Sequence, residues 1–154
     1  MIHNGSCFCG AVKFRLECEP MFVNCCHCTD CRKQTGGAFA INGVIEAACV
    51  TVLQGEPAAV AMKTDSGAPH DIYRCPQCLS PLWSDYGVPG VLMVRLAMLD
   101  DAAAFPPQAH IYVRSKLPWV RLPEGVPAFD AYYDMEKIWP AESLKRRNAV
   151  TGGK

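Results

Sequence analysis

The stretch CCHCTDC, residues 25–31, sets four cysteines and a histidine in seven consecutive positions, and the C-x2-C pair CPQC follows at 75–78. So much sulfur constrains the chain first, because a fold must oxidise it, bury it or use it as metal ligands. The compartment decides among these. The start, MIHNGSCFCG, has neither a basic leader nor an apolar segment, and no apolar run approaches the roughly 20 residues of a membrane-spanning helix. The expectation is a cytoplasmic protein with no membrane partner. In a reducing cytosol disulfides are rare, and clustered cysteines point to metal or catalysis.

The chain has 154 residues, half of them apolar and 19% charged, which fits one domain able to bury its own core. That domain is placed at 1–140, with a flexible polar tail at 141–154. Fifteen basic residues balance fifteen acidic ones. Seven ligating thiolates with two zinc ions would add −7 + 4 = −3. A chain so balanced lacks the broad basic field of a non-specific nucleic-acid binder, so nucleic acid is set aside as a partner. No motif speaks to the oligomeric state.

In AVKFRLE (11–17), Val12, Phe14 and Leu16 alternate with Lys13, Arg15 and Glu17, the period-two pattern of a half-buried strand. Further short strands are expected in the segments 38–47, 49–53, 58–63, 71–75, 91–96 and 109–114. Turn formers separate them, in QGEP, DSGAP, YGVPG and FPPQ. Helical turns are expected after Cys28, in LDDAAA (99–104) and in DMEKIW (134–139). The last stretch, AESLKRRNAVTGGK, is basic and loses its apolar rhythm, and reads as frayed. The predicted class is mainly β, made of several small antiparallel sheets stabilised by zinc, with a few short helical turns.

Cys75 and Cys78 form a knuckle whose spacing lets two sulfurs reach one tetrahedral ion. Two further ligands must come from elsewhere, and CFCG offers Cys7 and Cys9, followed by Gly10. Joined, the four make a closed structural zinc site that cross-links the fold. The competing reading makes Cys7 and Cys9 ordinary buried residues or a redox pair.

Cys26, Cys28 and Cys31 have the spacing C-x-C-x2-C, which a turn starting near Cys28 gathers around one ion. Three protein ligands leave tetrahedral zinc one position short, the mark of a catalytic site. Two alternatives stay open. Cys25 as a fourth ligand closes the site, and His27 could ligate in its place, line the pocket or simply fill space. Cys18 and Cys49 read as buried small hydrophobes, and His3 and His70 as loop residues without a chemical role.

GSCFCGAVKF (5–14), CHCTDCRKQTGGAFA (26–40), YRCPQCLSPLW (73–83), LDD (99–101) and AHIYVRSKLPWVRLPEGVPAF (109–129) together resemble the glutathione-dependent formaldehyde-activating enzyme family, which includes centromere protein V. The resemblance implies coiled β-sheets similar to those of B-type methionine sulfoxide reductases. It implies a structural zinc on Cys7, Cys9, Cys75 and Cys78, and a catalytic one on Cys26, Cys28 and Cys31. Cys25 is a departure, an added thiol beside the site. Pro76 and Leu79 also stand where the family often shows glycines.

The implied reaction joins glutathione, or a related small thiol, to formaldehyde or another small aldehyde, formally as a carbon–sulfur lyase. Glutathione is anionic, so the pocket should offer cations. Arg32 and Lys33 follow the last ligand, and Arg95 and Arg114 come next, each with a competing reading as a solvated residue. His110, Tyr112 and Trp119 are candidates for the cleft wall, against a structural reading of the aromatics. Specificity is expected in the loops 64–70 and 84–90. Two other classes compete: a zinc-stabilised protein-binding module without catalysis, and a redox enzyme like the methionine sulfoxide reductases. The redox enzyme needs a free, low-pKa thiol, and Cys18, Cys25 and Cys49 are the ones left over.

Overall fold

The computed structural model describes residues 1–64 and 67–153, so Asp65 and Ser66 of the expected DSGAP turn lie outside the described residues. Its ten strands form two sheets, in line with the mainly β expectation. The smaller holds β1 (His3–Ser6), β2 (Lys13–Leu16) and β5 (Val50–Gln54), antiparallel in the order β1-β2-β5. The larger gathers β3 (Phe22–Cys26), β4 (Ala40–Glu46), β6 (Ala58–Ala61), β7 (Asp71–Arg74), β8 (Pro81–Asp85), β9 (Val91–Arg95) and β10 (Ala109–Ile111). Its order is β10-β3-β4-β9-β8-β7-β6, and only β10 with β3 runs parallel. Seven strands in one sheet exceed the small sheets expected.

Three strands escaped the alternation test, each for a physical reason. β1 is HNGS, polar and short. β3, FVNCC, is buried along its whole length, and a strand covered on both faces shows no alternation. β8 begins at Pro81, which reads against a strand, and is buried over its first four residues.

The core lies between the two sheets. Phe14 and Leu16 of β2 point inward against Ile45, Leu82, Trp83 and Val94 of the larger sheet, and the Phe14 and Trp83 rings meet edge to face at 5.6 Å. Gly5 on β1 has no alternative. A Cβ there would stand 2.7 Å from both the Met98 carbonyl oxygen and the Phe14 ring.

A second apolar cluster holds Phe22, Val44, Tyr133 and Trp139 together, with the Phe22 and Trp139 rings stacked at 5.3 Å. It seats the C-terminal segment. Among the described residues the helices are α1 (Thr29–Thr35), α2 (Met135–Ile138) and α3 (Ala141–Thr151), with four short 3-10 turns, and none is long and apolar enough to cross a membrane.

The tail read as frayed at 141–154 is thus a helix through Thr151, a correction with a clear cause. α3 sets Leu144 and Val150 against the second apolar cluster, and its other anchors are polar contacts, which apolar periodicity cannot reveal. Arg146 grips both carboxylate oxygens of Glu46, at 2.8 and 2.7 Å, and Ser143 donates to the Met21 carbonyl at 2.6 Å.

Cys18 and Cys49 are corrected too. They are paired as a disulfide and only half buried, not lone core hydrophobes.

Candidate metal centres and active-site cavity

The first sulfur group joins a tight loop to a knuckle on the other sheet. In the loop, the Gly10 N–H donates to the Cys7 carbonyl and the Val12 N–H donates to Cys7 Sγ at 3.3 Å. Gly10 supplies the φ of 75° that this turn needs. In the knuckle, the Leu79 N–H donates to the Cys75 carbonyl at 2.9 Å. The four sulfurs of Cys7, Cys9, Cys75 and Cys78 lie within 4.8 Å of one another. Tetrahedral zinc with Zn–S near 2.3 Å demands sulfur separations of roughly 3.8 Å. Cys7 to Cys9 is 3.6 Å and Cys9 to Cys75 is 3.8 Å, so the donor set fits zinc. Cys78 is held as a low-pKa thiol, at about 5, by its hydrogen bond with the Ser80 hydroxyl.

The second group forms where a strand passes into a helix. Cys26 ends β3, Cys28 caps α1, and Cys31 falls in the helix's first turn. Cys28 keeps extended backbone angles while its sulfur accepts the Cys31 N–H at 3.2 Å. The one residue thus serves as helix cap and as candidate ligand. The three sulfurs again lie within 4.8 Å of one another. Cys28 is pulled down to about 2 by hydrogen bonds from the Cys26 and Cys31 thiols, whereas Cys26 is driven up by the same contacts and by burial. Cys31 is raised as well, so Cys28 is the member of the trio that most readily carries the thiolate, the form in which sulfur takes up a soft cation.

A cavity of about 510 Å³ opens on this trio, within the range of roughly 300–1,000 Å³ typical of small-molecule sites. Its walls include Gln34, Asn42, His70, Tyr86, Arg95 and Tyr112. None of Cys7, Cys9, Cys75 and Cys78 lines it.

Other expected site residues divide. Tyr112 lines the cavity, with a φ of 55° unusual for a residue bearing a Cβ, and Arg114 lines it from over the Tyr112 ring at 5.8 Å. Arg32 and Lys33 sit in the last turn of α1 and do not line it, and neither does Trp119, which is 68% exposed.

His110 faces away as well. It lies in a buried trio with Cys25 and His27, where His27 Nε2 is 3.0 Å from His110 Nδ1 and 3.5 Å from Cys25 Sγ. This follows from strand geometry. Cys25 and His27 are two residues apart in the chain and so point opposite to Cys26, while His110 pairs across to Cys25. Burial lowers His27 to about 4 and lifts the Cys25 thiol to about 12.

The loops named for specificity do contribute. Thr64 and His70 come from the first and Tyr86 from the second, with the His70 and Tyr86 rings stacked at 4.1 Å. His70 is therefore not an idle loop residue, and its Nε2 lies 3.2 Å from the Ser84 hydroxyl. His3 is also corrected. It is buried on β1 between Asp101 and Glu19. Asn42 was missed, because its place depends on strand register rather than on a local motif.

The family profile described as "Glutathione-dependent formaldehyde-activating enzyme" matches residues 2–115. A Halomonas elongata protein provisionally named a glutathione-dependent formaldehyde-activating enzyme is 32% identical over 128 residues, covering 79% of this chain and 82% of that one. A crystal structure of a Rhodobacter sphaeroides protein superposes with a TM-score of 0.47 at 18% identity, over 82% of this chain and 98% of that one.

Proposed function

The chain belongs to the glutathione-dependent formaldehyde-activating enzyme family, and from that premise we propose that it is a zinc-dependent carbon–sulfur lyase of the cytoplasm, making S-hydroxymethylglutathione from glutathione and formaldehyde. A related small thiol or another small aldehyde would serve the same chemistry. One observation carries the reading: of the two all-cysteine groups that fit zinc, only Cys26, Cys28 and Cys31 line a cavity large enough for a small molecule. Two ions per chain follow, one closed on four sulfurs and structural, the other held by three and catalytic.

Zinc bound by the trio would favour the thiolate of an incoming thiol at neutral pH, where a free thiol of pKa near 8.5 is mostly protonated. The rest falls to the chain. Cys26, Cys28 and Cys31 would hold the ion in the cavity wall. The buried guanidinium of Arg95 places positive charge beside Cys31, and Tyr86, Tyr112 and Tyr132 supply aromatic walls to the cavity. In the reaction one S–C bond forms, the carbonyl π pair becomes the hydroxyl, and that oxygen takes the proton the thiol gave up.

The redox reading has little support. It needs an accessible low-pKa thiol, and Cys25, outside both groups and the disulfide, is 1% exposed and does not line the cavity. The test is titration of cobalt-substituted protein with glutathione, following metal–sulfur absorption and proton release. A thiol-dependent spectral change with about one proton released per chain is expected. Four protein sulfurs at the second ion, with no response to thiol, would overturn the assignment.

A further inference from the structure

We infer that Arg95 is the specificity-determining residue of the cavity: its guanidinium receives a carboxylate of the thiol, so the protein selects thiols with free carboxylates over those whose carboxylates are capped. The inference rests on the thiol-binding reading above and adds the feature by which the thiol is chosen.

Arg95 ends β9 and is 2% exposed, yet it makes no ion pair with any acid among the described residues. Asp30 also lines the cavity and does not neutralise it. A guanidinium cannot escape burial by losing its proton, and the negative group set near it is the Cys31 sulfur rather than a carboxylate. Its head is held from two sides. Nη1 donates to Asn42 Oδ1, Nη2 donates to Ser84 Oγ at 3.3 Å, and Nε has no partner at all. Of five N–H donors, two are engaged. The others form the planar fork that suits a carboxylate.

Position strengthens the assignment. Asn42 Nδ2 lies 4.0 Å from Cys31 Sγ, so a single amide side chain separates the sulfur trio from the guanidinium. A ligand serving both must carry its thiol and its carboxylate a few bonds apart. The other cations are less available. Arg74 is engaged by the Leu79 carbonyl and by Gln34, and Arg114 lies over the Tyr112 ring.

The test is calorimetric titration of the zinc-loaded protein with glutathione and with its diethyl ester, which keeps the thiol and the amine but loses both carboxylates. The native protein should bind the acid at least about tenfold more tightly. Arg95→Gln should bring that ratio close to one by weakening the acid alone, and Arg95→Lys should retain part of it. Zinc content and unfolding midpoint are measured for each variant, and the lysine variant carries the comparison if the glutamine one does not fold. Equal affinity of the native protein for both thiols, or equal weakening of both by Arg95→Gln, overturns the role of Arg95 and leaves the lyase reading standing. No binding of either thiol by native protein overturns both.

Discussion

His27 and His110 meet at 3.0 Å on the face of β3 opposite the cavity, one ring donating to the other, with Cys25 completing the group. Both rings are buried, and their outer nitrogens, His27 Nδ1 and His110 Nε2, have no partner. The contact ties β10 to β3 beneath the sulfur trio. Replacing His110 by alanine leaves a void and strands the His27 nitrogen, at a cost of about 2–4 kcal/mol. Urea unfolding should show a lower midpoint, while glutathione affinity of the folded fraction stays within about twofold of native. A large affinity loss with unchanged stability would show that His110 reaches the ligand.

The Cys18–Cys49 disulfide closes a loop with a sequence separation of 31, joining the chain just after β2 to the turn before β5. Loop-closure entropy alone would make it worth about 3–4 kcal/mol. Denatured, unreduced and metal-free protein should titrate eight thiols, and ten after reduction. Cys49→Ser should lower the unfolding midpoint by a similar amount to reduction of the native protein. Ten thiols before reduction would mean that the pair stands open.

His3 gives the fold a pH dependence whose sign can be worked out. Burial opposes its charging, but Asp101 at 2.6 Å and Glu19 at 2.9 Å outweigh burial, and its pKa lies above the ordinary 6.5. The folded state thus holds the proton more tightly than the unfolded one. The stabilisation is complete below pH 6.5 and fades as pH rises through the folded value. The Met1 amino group, 3.7 Å from Glu19, competes for the same carboxylate. Since both acids are nearly half exposed, salt should weaken the effect. His3→Gln should therefore cost more stability at pH 6 than at pH 8.5 in thermal melts. An equal cost at both would assign His3 a packing role only.

What could be read from the sequence was local. Phe14 and Leu16 announced β2 because one face of it meets water, and Cys26, Cys28 and Cys31 announced a ligand group because six residues of chain gather them. The trio's strand could not be seen, since both faces of β3 are covered. Asn42 and Arg95 were beyond reach as a pair. They face each other only because β4 and β9 run antiparallel in one register, which no short stretch encodes. The same holds for Cys18 and Cys49, brought together by the pairing of β2 with β5. Helix α3 failed differently. Its alanines, lysine and arginines favour helix, but its apolar contacts are only Leu144 and Val150, and polar grips such as Arg146 on Glu46 leave too thin an apolar stripe to notice.

Leu79 is where the first sulfur group carries a cost it could shed. Its φ of 62° lies in the left-handed region, its side chain is 64% exposed, and its N–H donates to the Cys75 carbonyl that shapes the knuckle. Gly10 takes a φ of 75° in the opposing loop without a Cβ to strain it. A side chain in this conformation costs about 1–2 kcal/mol. Glycine would remove that strain but give the unfolded chain more freedom, returning about 0.5–1 kcal/mol. Leu79→Gly should thus stabilise the zinc-loaded protein by about 0.5–1 kcal/mol, a rise in Tm of about 2 °C. Leu79→Ala keeps the Cβ and should change little, because the strain belongs to the backbone rather than to the size of the side chain. If glycine instead lowers Tm while alanine is neutral, the left-handed turn is not where the cost lies.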